Sequence, residues 1–387
     1  MAGQRVRVMI VDDSAFMRKV LQSILATDPQ LEIVGEARDG REAIAMAESL
    51  RPDVISMDIM MPHVDGLQAT EAIMSKNPRP IVIVSSEAKD GAEPTLRALE
   101  LGAIDFVPKP SSGIDLDMNS IRDEICRKLK LAARVRVVRT ARHFNAPVQA
   151  PPENNPYTKS SALPPNGNGS NGSGNGNGHG AAAHSKTSGG RHPLVVIASS
   201  TGGPQMLMQL IPQIPRDFLG TILLVQHMPG TFTAQFSKQL AEVSGLHVKE
   251  AQHGDELRAG TIYVCPGSHH MRVSGSGRID LEEGERINGY RPCADLTLET
   301  AAAFAGPMCV GVILTGMGAD GARGVQVVKS NGGHVIAQDE ATSVIFGMPA
   351  EAIKTGAVDQ VLGIDAIANA LERRTMYLMG ASKVGAM

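Results

Sequence analysis

An excess of charge of either sign is what this sequence most lacks. With 37 Lys and Arg against 40 Asp and Glu, its formal charge is -3, which offers no general attraction to nucleic acid or to an anionic membrane. Cysteine is scarce as well. Cys126, Cys265, Cys293 and Cys309 are widely separated and form no Cys-x-x-Cys pair, so neither a zinc site nor a disulfide framework is expected and the thiols read as reduced. No apolar run approaches the length of a membrane span. Arg5 to Val11 is too short an apolar stretch for a signal peptide and leads into acidic residues, so the expectation is a cytoplasmic protein with no membrane insertion.

At 387 residues the chain exceeds the size at which a single core stops growing, about 250 residues, and two domains are expected. The boundaries read as 1–133 for the first, 134–192 for a linker and 193–387 for the second. Between Phe144 and Arg191 the composition turns to Pro, Asn, Gly and Ser, and Asn166 to Gly180 is almost wholly Gly, Asn and Ser. Such a segment has too little apolar surface to offset the entropy of ordering. His179 and His184 within it read as incidental to the composition rather than as metal ligands. The basic run Arg134 to Arg139 fits a solvated helix end, or a patch for an acidic partner.

Up to about Ala132, short β-branched runs alternate with amphipathic helical periods. The strands read as Val6–Val11, Glu32–Ala37, Val54–Met57, Ile81–Val84 and Asp105–Val107, a pattern that predicts a five-stranded parallel, doubly wound sheet with its function at the strand carboxyl ends. Asp12 and Asp13 follow the first strand, Asp58 ends the third, Ser85 ends the fourth and Lys109 follows the fifth. Three carboxylates at one edge repel one another unless a hard cation joins them, and oxygen ligands of this kind suit Mg²⁺. Asp58 then reads as a phosphoryl acceptor, with Mg²⁺ and Lys109 neutralising the phosphate and Ser85 bonding to it.

Val11-Asp12-Asp13-Ser14, Met57-Asp58-Ile59-Met60-Met61-Pro62, Val84-Ser85-Ser86 and Phe106-Val107-Pro108-Lys109-Pro110 together resemble the receiver domain of bacterial two-component response regulators. The resemblance implies that a histidine kinase phosphorylates Asp58, and that Ser85 and Phe106 occupy switch positions.

In the second domain Val195 to Ala198 is an apolar run that breaks into Ser199-Ser200-Thr201-Gly202-Gly203-Pro204 before a Met- and Leu-rich helix. A strand, a tight turn and a helix start lift a hydroxyl clear of the sheet edge, beside free helix amides. Ser200 is therefore a candidate nucleophile; a phosphate cradle or a plain turn would read the same way. That turn carries neither the G-x-G-x-x-G spacing nor a Walker lysine, which argues against a nucleotide module built on it. His227 follows the strand Thr221–Val225, and Asp320 lies in the turn after Cys309–Leu314. One sheet edge would unite the three as nucleophile, base and orienting acid. Thr261–Val264, Met271–Val273 and Arg278–Leu281 read as a small antiparallel insert within an otherwise mostly parallel α/β sheet. A binding protein that keeps the fold but only docks partners remains the rival reading.

Ser200-Thr201-Gly202-Gly203-Pro204, Gln226-His227-Met228-Pro229, Leu314 to Gly321 and Phe346-Gly347-Met348-Pro349 resemble the chemotaxis protein-glutamate methylesterases of the CheB family, across both domains. The resemblance implies a Ser200, His227, Asp320 triad, with Thr201 and Met317 lining the oxyanion side. It implies hydrolysis of γ-glutamyl methyl esters and deamidation of glutamines on chemoreceptor helices, a chemotaxis histidine kinase as phosphodonor, and no cofactor for the ester chemistry. Ala198-Ser199 and Tyr290-Arg291-Pro292-Cys293 depart from the family's usual Gly-Ala and His-Arg-Pro-Ser. Ser199 is a second hydroxyl beside the nucleophile; Thr201-Gly202-Gly203 in register favours Ser200.

Overall fold

A computed structural model describes residues 5–85, 89–109, 118–135 and 192–380. Most of the expected linker, with His179 and His184, lies outside the described residues, as do Ser86, Pro110 and most of the basic run. The first α/β body contains β1 (Val6–Val11), α1 (Ala15–Leu25), β2 (Leu31–Ala37), α2 (Gly40–Leu50), β3 (Val54–Met57), α3 (Gly66–Lys76), β4 (Ile81–Ser85), α4 (Lys89–Glu100), β5 (Asp105–Pro108) and α5 (Met118–Ala132). Its strands run in the order β2-β1-β3-β4-β5, all parallel. β3, β4 and β5 are buried at every position, as helices on both faces of a parallel sheet require. Strand order reverses between β1 and β3, and such a switch point leaves a crevice beyond the strand ends. The acidic residues end up there.

The second body starts with β6 (Leu194–Ser199), α6 (Gly203–Leu210), β7 (Thr221–Gln226), α7 (Gly230–Val243), β8 (His247–Glu250) and β9 (Thr261–Val264). It continues through β10 (His270–Val273), β11 (Ile279–Glu282), α8 (Ala294–Ala305), β12 (Cys309–Ile313), α9 (Ala322–Ser330), β13 (His334–Gln338), α10 (Met348–Lys354), β14 (Gln360–Leu362) and α11 (Ile364–Leu378). Seven strands form one sheet in the order β14-β13-β12-β6-β7-β9-β8, with every pairing parallel. The antiparallel insert is smaller than the sequence suggests. Only β10 and β11 form it, because Thr261–Val264 pairs with β7 on one side and β8 on the other and so belongs to the main sheet.

The two bodies belong to one compact unit. Helix α4 packs on α6 and α7, and the Phe106 ring of β5 meets Phe232 of α7 with centroids 4.5 Å apart. All four cysteines are buried and free.

Candidate active site and phosphoacceptor pocket

In the first body, the Asp58 N–H donates to the Val11 carbonyl at 2.8 Å, fixing the end of β3 beside that of β1. Carboxylate oxygens of Asp12, Asp13 and Asp58 then lie within 4.8 Å of one another. Lys109 Nζ stands 2.7 Å from Asp58 Oδ2 and 2.9 Å from Asp12 Oδ2, although Asp12 Oδ2 is buried and has no partner with hydrogen-bond geometry. Burial pushes Asp58 above the usual carboxylate range despite the lysine. Burial would lower Lys109, but its contacts with Asp58 and Asp12 outweigh that and raise it. Ser85 is buried and accepts from Thr95 Oγ1 at 2.8 Å. Phe106 is turned inward, with Lys128 Nζ 5.5 Å from its ring centroid and donating to its carbonyl at 2.7 Å.

The second site is built at the ends of three neighbouring strands. Register pairs Ser199 with Gln226 across β6 and β7, so Ser200 and His227 leave the sheet side by side, and β12 delivers Asp320 from the other flank of β6. This too is a switch point, since chain order reverses between β6 and β12. His227 Nε2 lies 2.8 Å from Asp320 Oδ2. The other ring nitrogen, Nδ1, is buried and has no hydrogen-bond partner, so no bond joins the imidazole to Ser200 here. Tyr290 stacks on the imidazole with centroids 4.7 Å apart and planes inclined by 20°.

Several residues that the sequence reading does not single out hold this arrangement. Gln226 Nε2 donates to the carbonyls of Ser200 and His227, each at 2.9 Å, and Oε1 accepts from Ser199 Oγ at 2.7 Å. Any Cβ at position 203 would collide with that same Oε1, so glycine is required there. The Thr315 carbonyl accepts from Ser200 N–H at 3.0 Å, and its hydroxyl donates to the Thr201 carbonyl. Ser199 is fully buried.

Asp320 is deeply buried, which alone would raise it, but the hydrogen bond from His227 and the backbone N–H groups of Ala294 and Asp295 hold it below the usual range. Asp295, beside it, is pushed up by burial. The Cys293 thiol, 3.3 Å from Asp320 Oδ1, is driven to about 12 by burial and that carboxylate. Two expected lining residues reach toward the first body: Thr201 Oγ1 donates to Asp105 Oδ2 at 2.5 Å, and Arg127 contacts Met317 Sδ at 2.9 Å.

A second glycine pattern emerges in the turn after β12. Gly316-Met317-Gly318-Ala319-Asp320-Gly321 follows a strand, opens α9 and spells G-x-G-x-x-G, the spacing of dinucleotide-binding turns. The exclusion argued from the Ser-Thr-Gly-Gly turn does not cover it. The structure does: the α9 amides that would receive a pyrophosphate are taken by the carboxylate of Asp295, which accepts from Gly321 N–H and Gly324 N–H at 2.9 and 2.7 Å. The Tyr290 hydroxyl fills the space beside Gly318, whose φ of +97° is itself a glycine conformation.

Residues 195–371 match the family described as CheB methylesterase, and residues 8–119 match the response regulator receiver domain. The protein-glutamate methylesterase/protein-glutamine glutaminase of Pyrococcus abyssi is 43% identical over 388 residues, covering 100% of this chain and 98% of that protein. Its namesake from Pyrococcus horikoshii is 42% identical over 386 residues, covering 99% and 97%. The solved CheB methylesterase catalytic domain of Thermotoga maritima is 42% identical, covering 47% of this chain and 98% of its own, at a TM-score of 0.46.

Proposed function

The chain belongs to the CheB methylesterase family with an N-terminal receiver domain, and from that premise we propose that it removes γ-glutamyl methyl esters from chemoreceptor helices and deamidates receptor glutamines under control of phosphorylation. The observation that carries this reading is the His227–Asp320 pair at 2.8 Å, set at the strand end next to the Ser200 turn. Ser200 is the nucleophile. Its neighbour Ser199 is fully buried and committed to Gln226, which favours Ser200 of the two hydroxyls.

Because Nε2 of His227 faces Asp320, Nδ1 is the nitrogen left to act as base. It takes the Ser200 proton as Oγ attacks the γ-carbonyl carbon, and Asp320 stabilises the imidazolium that results. The negative charge on the carbonyl oxygen meets the N–H groups of Thr201 and Met317, neither of which makes a backbone hydrogen bond among the described residues. When the C–O bond to methoxide breaks, Nδ1–H returns the proton and methanol leaves. Water then repeats the sequence on the acyl-serine and releases the free γ-carboxylate. An amide substrate follows the same path with ammonia as leaving group.

In the receiver, Asp58 takes the phosphoryl group from a phosphohistidine of a chemotaxis histidine kinase. Asp12, Asp13 and Asp58 would hold Mg²⁺, and the buried Asp12 oxygen without a hydrogen bond fits that assignment. The ion, when bound, neutralises phosphate charge. Lys109 pairs with the phosphate oxygens from the other side, and the Ser85 hydroxyl donates to one of them. The unphosphorylated receiver covers the Ser200 cleft through Asp105 and Arg127, and phosphate on Asp58 shifts the equilibrium toward an open enzyme.

Methanol release from methylated chemoreceptor membranes tests the reading. Release should rise with a small-molecule phosphodonor, fall by at least about 10³-fold in Ser200→Ala and stay at the basal level in Asp58→Ala. Unchanged release from Ser200→Ala would remove the triad; no release from the native chain would leave a binding protein.

A further inference from the structure

We propose that Asp295 is a positioning residue for the hydrolytic site, holding Asp320 in place through a reciprocal exchange of helix caps. The inference rests on the Ser200–His227–Asp320 reading above. Asp320 lies just before the N-cap Gly321 of α9, yet its carboxylate caps α8: Oδ2 accepts from Ala294 N–H at 2.7 Å, and Oδ1 from Asp295 N–H at 2.9 Å. Asp295 lies in the first turn of α8, yet its Oδ1 caps α9 through Gly321 N–H and Gly324 N–H. Each acid satisfies the orphan amides of the other's helix. Gly321, at the start of α9, provides no side-chain cap of its own. Within the family-matching domain, the amides that open α9 in the G-x-G-x-x-G turn are thus met by an internal carboxylate.

The exchange has consequences for the imidazole. Asp320 Oδ2 is shared between Ala294 N–H and His227 Nε2, so any rotation of the carboxylate toward better contact with α8 weakens its hold on the ring. Asp295 opposes that rotation by locking the backbone on both sides: its own N–H holds Oδ1, and its carboxylate holds Gly321, the residue after Asp320. It also places a second buried negative charge behind the first. The groups facing the pair are His227, the Cys293 thiol, Tyr290 and Arg323. Arg323 Nε is 3.9 Å from Asp295 Oδ2 and is engaged with Glu299 at 2.6 Å, too distant and too exposed to cancel that charge.

Asp295→Asn keeps an acceptor for Gly321 and Gly324 but, without the charge, leaves both caps roughly half as strong, whereas Asp295→Ala removes them. Both variants of the full chain, activated by phosphodonor, would be assayed for methanol release across pH beside Ser200→Ala and a thermal melt. For Asp295→Asn the expected result is a kcat lower by roughly tenfold at unchanged KM, with the acid limb of the rate profile moved to lower pH because a protonated imidazole has lost a stabilising charge. Asp295→Ala should lose roughly 10²-fold in kcat. Should Asp295→Ala fail to fold, Asp295→Asn decides alone. A native kcat and pH profile in Asp295→Asn, with or without a lowered melting temperature, would overturn the proposal, since a purely structural role moves only the melt. The Ser200→Ala control separates this failure from failure of the triad: activity surviving there condemns the triad itself.

Discussion

Gln226 connects the Ser200 turn to His227, and its importance follows from what its amide would leave unpaired. It is 2% exposed and satisfies Ser199 Oγ and the carbonyls of Ser200 and His227 at once. Leucine matches its bulk but orphans three polar groups, each costing about 1–3 kcal/mol when buried. Gln226→Leu is therefore expected to lower kcat by roughly 10–10² through misplacement of Ser200 and His227, with little change in KM. Steady-state methanol release with a melting curve would check it, and an unaltered kcat would show that the turn holds itself. Ser200, His227 and Asp58 were legible as candidates because each lies at the end of an apolar run that marks the sheet edge, and Asp320 because it sits in the glycine turn that follows one. Gln226 and Asp295 were not. Their effect lies in hydrogen bonds to residues adjacent in space but separated by up to 29 positions in sequence, as for Asp295 and Gly324, and no periodicity encodes such a pair.

At the scale of elements, both edges of the first sheet and the buried central strands of the second were readable, and the two edge strands of the second sheet were not. β6, β7 and β12 are apolar runs buried at every position. β8, His-Val-Lys-Glu, and β14, Gln-Val-Leu, lie at the two edges of the seven-stranded sheet, where one side faces water and short polar stretches suffice. β9 was legible as a strand but not in its pairing, because whether Thr261–Val264 joins a hairpin or the parallel sheet depends on contacts with residues 222–224 and 247–250. One edge also carries a pH-sensitive clasp. Asp359, just before β14, accepts from Val335 N–H at 2.9 Å, pairs with Lys329 and lies 3.3 Å from His334 Nδ1. Burial would raise Asp359, but Lys329 and the Val335 N–H hold it below its ordinary value, so its contribution is complete above about pH 3.9 and is lost as pH falls through the folded value. Burial lowers His334 despite Asp359. The unfolded chain therefore binds that proton first, and stability begins to fall as pH drops below about 6.5. Urea midpoints between pH 8 and 3 should decline in both windows, and Asp359→Asn should shrink the lower one. An identical decline in that variant would assign the acid sensitivity to the other depressed carboxylates, Asp28 and Asp320.

For the whole molecule, the proposed regulation depends on how tightly the receiver holds the hydrolytic cleft, where α4 packs on α6 and α7 and side chains of β5 and α5 add specific contacts. Lys128 is the hub: it donates to the Asp105 carboxylate at 3.0 Å and to the Phe106 carbonyl at 2.7 Å. Phe106 packs on Phe232, Asp105 takes the Thr201 hydroxyl, and Arg127 rests on Met317. The residue expected to switch on phosphorylation thus adjoins the one bonded beside Ser200, so a Phe106 displacement and loss of the Asp105–Thr201 bond share one backbone. A hydrogen bond to a charged group contributes about 1.5–3 kcal/mol, equivalent to roughly 10- to 10²-fold in the docking equilibrium. Asp105→Ala should accordingly raise methanol release by the unphosphorylated full chain by up to that factor and shrink the further gain from phosphodonor, because the two act on one equilibrium. Coupling also runs backward. If phosphate on Asp58 favours the open form, opening by Asp105→Ala must favour phosphorylation at equilibrium, by up to that same coupling factor. Basal release at the native level in Asp105→Ala, with full activation by phosphodonor retained, would mean that the receiver is held by the Phe106–Phe232 and α4 packing alone.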